Sequence, residues 1–333
     1  MIVRTATFAV VLFISWSTPL MSNSAPPTDA VSVIAQEFLV DDPCALQVHV
    51  PGAHTTLRPG AAGDRLEVDV SVTGCPPDQA EAVLDRLEVS TRQKKDTIHV
   101  QSEADRSDAT WWRWVRTLDV TVHVDLRVPS TVDADLTVHG GLVEVADLSG
   151  QFDIDVSGGP CRLHNLDGTL DLRAESSEVE IDGFSGDRLE ARVAVGRLTL
   201  TDVAAESIVL RPVAAPLSAT DVRGDTTITA NSTPVTLDGL EGTCTARSQG
   251  APIEFTTPPT GEADLTVVGA DLTVTLPSDH GAALRMEGAS VHLDEAFPFE
   301  GDRTPTELTG TLNQGGPALH LRSVGGTVEC RSS

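Results

Sequence analysis

The amino-acid sequence predicts an all-β protein, a β-solenoid of stacked repeats of roughly 18–20 residues behind a β-rich N-terminal cap that contains one short helix. Two observations support this fold class. Between Gln151 and Gly242 one unit recurs five times, with two short alternating apolar runs joined by a small or polar turn. Each unit ends with an apolar residue shortly before a closing Gly or Ala. Self-similarity at a fixed period is the signature of a solenoid.

The alternation within each unit predicts which side chains face the core. In the unit "TLDLRAESSEVEIDGFSG" a period of two places alternate residues on opposite faces of a strand. The residues predicted to point inward in this unit are Leu170, Leu172, Val179, Ile181 and Phe184. The matching residues are Phe152, Ile154, Cys161, Leu163 and Leu166 one unit earlier, and Thr226, Ile228, Val235, Leu237 and Leu240 three units later.

The closing position favours residues without a bulky side chain. It is occupied in succession by Gly150, Gly168, Gly186, Ala205, Gly224, Gly242, Gly261, Gly281 and Gly301. Glycine is expected where the backbone turns with positive φ or approaches a neighbour closely. We therefore expect successive units to come into backbone contact at this position.

Residues 1–25 have the features of an export signal. Arg4 is followed by the apolar run "TATFAVVLFISW" and by a polar stretch of small residues, with cleavage expected near Ser24 or Ala25. An uncleaved membrane anchor is the alternative, although the apolar run is short for a membrane-spanning helix. The chain is thus expected to be exported, as a periplasmic, cell-surface or secreted protein, with no stable membrane span after cleavage.

Three further segments follow the signal. Residues 26–36 are predicted to be a linker, 37–129 a β-rich cap and 130–333 the repeat region. In the cap, alternating strands are predicted at 45–50, 65–72, 87–93, 97–103 and 118–129, and a helix at 76–87, where Pro77 precedes an acidic first turn. A cap would cover the unpaired edge of the first unit. Residues 297–316 break the repeat and are predicted to be one long irregular insertion.

The chain is strongly acidic. Its 49 Asp and Glu against 23 Lys and Arg give a net charge of −26. This charge argues against nucleic acid and anionic membrane surfaces as partners, and it permits divalent cations, basic proteins or neutral sugars. The simplest explanation of the charge is solubility of the outward strand faces.

The five cysteines fall into two groups. An exported protein can form disulfides, and a Cys44–Cys75 bridge would staple the cap; the alternative is that both stay reduced. Cys161, Cys244 and Cys330 occupy inward positions of the repeat and are expected to act as small apolar residues. No spacing resembles a zinc site.

No catalytic constellation is evident in the sequence. It lacks a Gly-x-Ser-x-Gly nucleophile elbow and a phosphate-binding loop ahead of a helix. The histidines that alternate with Val or Leu are predicted to lie on outward faces: His49, His123, His139, His292 and His320. We therefore expect no enzymatic activity.

One outward face could still carry paired carboxylates. Its residues are Asp153, Asp155, Asp171, Arg173, Glu190 and Arg192. Carboxylates at fixed separations can hydrolyse glycosides, so a carbohydrate-active enzyme is one alternative. Later units have Val209, Thr227, Thr229 and Thr245 instead, which favours solvated strands. No cofactor is expected; calcium at Asp41–Asp42 or at the Asp153/Asp171 face is an alternative, although no EF-hand spacing is present.

Tryptophan is concentrated in one short stretch. Trp111, Trp112 and Trp114 stand in a chain that has only four tryptophans in all. They could form an aromatic platform for binding a sugar or a peptide. The alternative is that they plug the core at the cap.

These features together resemble a known family. The unit "LDLRAESSEVEIDGFSG", entered through "VHVDLRVP" and ended by "LHLRSVGGTVEC", is similar to the bacterial putative-adhesin family, a domain-of-unknown-function family of β-strand repeat proteins. The resemblance covers roughly residues 37–330. It implies a β-solenoid at the cell envelope with an adhesive role, and it provides no catalytic residues.

Three functional hypotheses follow. The first is an exported, non-enzymatic β-solenoid, an adhesin or a binding or scaffold protein whose partner is a protein or polysaccharide of the envelope or the extracellular space. The second is a carbohydrate-active enzyme on the same scaffold. The third is a structural or signalling component of the envelope.

Overall fold

The computed structural model describes residues 31–40, 43–60, 64–102, 120–256 and 260–333. The predicted signal segment and the tryptophan stretch lie outside these residues. The described chain is all-β with one helix, and its 22 strands belong to one hydrogen-bonded sheet. Among the described residues, no helix has the length and apolar composition that crossing a bilayer requires.

The first nine strands comprise those of the predicted cap and the first two of the predicted repeat region. Their bounds are β1 Val31–Leu39, β2 Cys44–His49, β3 Ala53–Pro59, β4 Arg65–Thr73, β5 Val89–Lys94, β6 Thr97–Ser102, β7 Thr121–Val128, β8 Thr131–His139 and β9 Val143–Ser157. The helix α1 spans Pro77–Leu87 and ends at Glu88, which has a left-handed conformation. Every strand predicted for the cap and the predicted helix are therefore present.

The remaining strands form the rest of the repeat region. They are β10 Cys161–Val213, β11 Leu217–Asn231, β12 Val235–Glu241, β13 Cys244–Gln249, β14 Ile253–Thr256, β15 Ala263–Val268, β16 Leu272–Leu276, β17 Ala282–Glu287, β18 Ser290–Leu293, β19 Phe299–Arg303, β20 Glu307–Leu312, β21 Ala318–Val324 and β22 Thr327–Ser332.

Parallel pairing follows the period of the sequence. Leu170 pairs with Phe152 and Cys161 with Val143, each 18 residues away. Further along the sheet Leu198 pairs with Leu217, a separation that is one residue longer. Leu217 in turn pairs with Val235, again 18 residues away. The predicted repeat thus appears as a parallel register between consecutive units.

The long strand β10 is not straight. Non-glycine residues with left-handed φ interrupt it, among them Asn165, Ser176 and Asp202. Asn and Asp tolerate this conformation better than other residues with a Cβ, because their short side chains hydrogen-bond locally. Asn165 also donates from Nδ2 to Asp147 of the preceding unit at 2.9 Å, and Asp147 has a left-handed φ as well. These positions are where the extended chain changes direction.

The inward residues are those that the alternation predicts. All five side chains of the reference unit and all ten of the two matching units are buried, each exposing 3% or less of its surface. Cys161, Cys244 and Cys330 are also buried in this core, as predicted. The core therefore runs along the units in register.

Backbone contact at the closing position is confirmed. Gly168 has a φ of +122°, and a Cβ there would lie 2.2 Å from the carbonyl oxygen of Gly150. Gly186 has a φ of +146°, and its Cβ would lie 2.1 Å from the oxygen of Gly168. A side chain at either glycine would collide with the backbone of the preceding unit, so the position requires glycine on two counts.

The N-terminal end departs from the predicted division of the chain. Strand β1 begins at Val31 and pairs antiparallel with β4, so residues 31–36 of the predicted linker belong to the sheet. The strands β2 and β3 pair in parallel with β8 and β9 on one side and with β6 and β7 on the other. The sheet therefore continues across residue 129, and the first unit lies between two units that come later in the chain.

The C-terminal end has the same arrangement. Strand β21 pairs in parallel with both β15 and β17, and β22 with both β16 and β18. The last unit of the chain is thus inserted between two earlier ones. The predicted irregular insertion, residues 297–316, instead contains the antiparallel strands β19 and β20, and β20 pairs with β17. Because β20 pairs with the edge of β17, this segment has a regular β-structure although its sequence does not follow the repeat.

Candidate functional site

Two adjacent columns of outward side chains run along the parallel sheet, and in each column a residue lies beside its counterpart in the next unit. The arginine column contains Arg173, Arg192, Arg211, Arg247 and Arg322, with Thr229 and Thr266 at intervening positions. The adjacent mixed column contains Asp153, Asp171, Glu190, Val209, Thr227, Thr245, Asp264, His320 and Arg285. Both columns therefore run along the sheet from one unit to the next.

In the upstream units the arginines are neutralised by the mixed column. Arg173 donates to Asp153 at 3.0 Å and to Asp171 at 3.2 Å. Arg192 lies 3.8 Å from Asp171. Most of these side chains are partly exposed, so water screens the ion pairs and each stabilises the fold only weakly.

Glu190 departs from the prediction that it is a solvated outward residue. Only 3% of its side chain is exposed, because Arg188, Arg192 and Arg211 surround its carboxylate; Arg211 approaches to 3.3 Å. The backbone alternation does place Glu190 on the outer face. Long arginine side chains then cover it, which the period of the sequence does not show.

These contacts bear on the two alternatives raised for this face. Arg173 occupies the space between Asp153 and Asp171, so a calcium ion or a substrate there would have to displace it. No group of three or more His, Cys, Asp or Glu side chains able to hold a metal ion is found in the part of the chain that the structure describes. Asp41 and Asp42, the other calcium candidates, lie outside that part.

A surface cleft of about 390 Å³ lies at the downstream end of both columns. It is lined by Arg247, Asp264, Thr266, Arg285, Glu287, His320, Leu321 and Arg322. These residues come from β13, β15, β21 and β17. β13 and β15 pair directly, and β17 is joined to them by the last unit, which is inserted between β15 and β17. The cleft therefore depends on the inserted unit.

The cleft is polar. Arg285 is bound to Glu287 and lies 3.6 Å from Glu307. Glu287 also lies 3.7 Å from Arg322, and Thr266 donates to Asp264 at 3.4 Å. Hydroxyl, carboxylate, imidazole and guanidinium groups thus converge on one open surface, which suits recognition of a polar ligand.

The sequence does not single out these cleft residues. His320 is predicted only as a surface histidine, which is correct. Arg247, Arg285 and Arg322 belong to units whose order in the sheet differs from their order in the chain. The alternation around each arginine places it outward, but nothing local indicates that they meet.

Neither Cys44 nor Cys75 lines this cleft. Trp111, Trp112 and Trp114, the predicted aromatic platform, lie outside the described residues. Cys44 is buried and Cys75 is half-buried, and the disulfide between them stays a prediction. Burial, with a smaller contribution from Asp133, raises the pKa of Cys44 to about 11.

Two histidines of the cap lie close together on another part of the sheet. The rings of His54 and His123 are 5.4 Å apart and meet edge to face. Burial lowers the pKa of both, so they are biased toward the neutral form. His123, predicted to be a surface residue, is thus partly buried, and its Nε2 lies 3.0 Å from the hydroxyl of Thr73.

Several solved structures are similar to this chain, and three of them are described as putative adhesins. The one from Parabacteroides merdae has a TM-score of 0.46 at 14% identity, over 91% of this chain and 96% of the other. Those from Parabacteroides distasonis and Bacteroides fragilis have TM-scores of 0.34 and 0.33 at 13% and 10% identity. The match to the Parabacteroides distasonis structure covers 89% of this chain and 96% of the other. The match to the Bacteroides fragilis structure covers 92% of this chain and 99% of the other.

Comparison of the sequence gives no further assignment. No protein-family model matches the chain, and neither does any curated protein.

Proposed function

We propose that the chain is an exported β-solenoid that binds a ligand at the cell envelope and catalyses no reaction. The solenoid interpretation is supported by the 18-residue parallel register and by the buried, aligned side chains of successive units. Export is supported by the sequence of residues 1–25. Binding is supported by the outer face and, above all, by one feature of it.

That feature is the cleft at the end of the two columns. It is open and lined by charged side chains that strands from four units hold in position. Rigid strands fix such groups more precisely than loops do, so little order has to be gained when a ligand binds. A preformed polar surface of this kind favours recognition, and its acids lie close to arginines.

A binding screen of the mature chain, residues 26–333, tests the proposal. The protein would be applied to immobilised glycans and extracellular proteins, and each glycan would then be assayed for cleavage. Saturable binding without cleavage is expected. Release of oligosaccharides would instead favour an enzyme, and absence of binding throughout would contradict a binding role.

Export is tested separately by fractionation of the producing cell. The chain is expected outside the cytoplasm with a new N-terminus near residue 25. A cytosolic chain that keeps residues 1–25 would contradict export and leave the binding result to be judged alone.

A further inference from the structure

The downstream part of the arginine column differs from the upstream part in how its charges are compensated. Upstream, Arg173, Arg192 and Arg211 all form ion pairs with acids of the mixed column. Downstream, the side chain of Arg247 is exposed and makes no ion pair or hydrogen bond with another described residue. Arg322 has a single ion pair, at 3.7 Å, and 60% of its side chain is exposed.

The two downstream arginines face the same space. Arg247 pairs across the sheet with Thr266, and Thr266 pairs with Arg322. Two strand spacings therefore separate the arginines, which amounts to roughly 10 Å between their backbones. Because threonine is short, the guanidinium groups can approach one anionic group over it from both sides.

The acids of the cleft indicate what else the ligand presents. Asp264 and Glu287 are acceptors of hydrogen bonds, and they line the same cleft as the arginines. A ligand with anionic groups alone would be repelled by them. A ligand that carries hydroxyl groups beside its anionic groups would satisfy both the acids and the arginines.

We propose that this cleft binds an acidic polysaccharide, with a carboxylate or sulfate held between Arg247 and Arg322 and sugar hydroxyls donated to Asp264 and Glu287. The proposal rests on the binding function proposed above and names its ligand class. Arginine suits this role because its planar fork of donors matches carboxylate and sulfate oxygens.

The net charge of −26 argues against polyanions in general, but its effect is long-range. At physiological ionic strength charges further apart than about 8 Å are largely screened. Contacts inside the cleft are shorter than this and keep their strength. Binding is therefore expected to be weaker at about 10 mM salt, where the acidic surface repels the ligand, than at about 150 mM.

Three polymers with one backbone test the ligand class: dextran, carboxymethyl dextran and dextran sulfate. Binding of each to the mature chain would be measured by surface plasmon resonance at about 150 mM salt. At least one of the charged polymers is expected to bind and neutral dextran is not, and the two charged polymers distinguish carboxylate from sulfate.

Variants locate the site. Arg247→Gln is expected to weaken binding about tenfold or more, as loss of a charge-assisted hydrogen bond does. Arg211→Gln is the matched control, because Arg211 lies in the same column but is paired with Glu190; it should change binding less than about twofold. Thermal melting of both variants checks that they remain folded.

The outcomes separate this inference from the proposed function. If neither charged polymer binds, or if Arg247→Gln binds them like the parent, the inference is overturned. Binding of the parent chain to a protein or a neutral glycan in the screen would then leave the proposed function standing. Failure in both experiments would remove both.

Discussion

Leu265 in β15 is paired with Leu321 in β21, a strand of the last unit of the chain. On its other side Leu321 is paired with Met286 in β17. All three side chains are buried in the core. The C-terminal strand β21 thus separates β15 from β17, although these two strands are close in the chain. The same strand contributes residues to the core and to the cleft.

The inserted unit is expected to be essential for the downstream end of the sheet. Removing residues 317–333 would leave the facing edges of β15 and β17 without hydrogen-bond partners and would expose the core. We expect a lower melting temperature and loss of hydrogen-exchange protection in β15 and β17. Removing only Ser332 and Ser333 is the control, and unchanged protection of β15 in the longer truncation would contradict the pairing.

Adjacent residues of one strand should respond oppositely to substitution. Leu172 is fully buried, so Leu172→Asp places an unpaired charge in the core and should cost about 4 kcal/mol or more of unfolding free energy. The side chain of Asp171 is 36% exposed, and Asp171→Ala should cost about 1 kcal/mol or less. Chemical denaturation measures both, and similar costs would show that the inward and outward faces are wrongly assigned.

Glycine at the closing position should be harder to replace than glycine in an open turn. Gly168→Ala brings a Cβ to 2.2 Å from the carbonyl oxygen of Gly150. Gly52 also has positive φ, at +75°, but no atom lies within 4 Å of the position that a Cβ would take there, so Gly52→Ala isolates the backbone strain. We expect a loss of about 1 kcal/mol at Gly52 and of at least about 2 kcal/mol at Gly168. Equal losses would contradict the close approach of the units.

The thiols are expected to differ in reactivity. Burial raises the pKa of Cys161, Cys244 and Cys330 to about 12, so at pH 8 their reactive thiolate is almost absent in the folded chain. Cys75 is only half-buried and should react first with a thiol reagent. Denaturant without reductant should release five reactive thiols if the chain is reduced and three if Cys44 and Cys75 are bonded.

The same shifts predict how stability depends on pH. The three pKa values are raised from 9.0, so the folded chain holds these protons more tightly than the unfolded chain does. The stabilisation is fully present below about pH 9 and is lost as the pH rises toward 12. Cys161→Val should reduce this alkaline loss in urea denaturation series, and an unchanged dependence on pH would contradict it.

Local pattern was enough to determine much of this protein. Side chains alternate along an extended strand, so the period of two alone predicted that Leu172 is buried and that Asp171 is not. The helix at Pro77–Leu87 and the positive φ of the closing glycines follow from steric limits that act within a few residues of the chain.

Only the tertiary structure decided the order of the units and the composition of the cleft. Any strand edge with a compatible pattern can accept a parallel neighbour, so the period does not tell that Leu321 pairs between Leu265 and Met286. The burial of Glu190 likewise depends on arginines of its own and the next unit closing over it. The order of the units depends on contacts between segments that are distant in the chain, and the burial of Glu190 is completed by Arg211 of the next unit. The period of two describes one strand at a time, so it shows neither outcome.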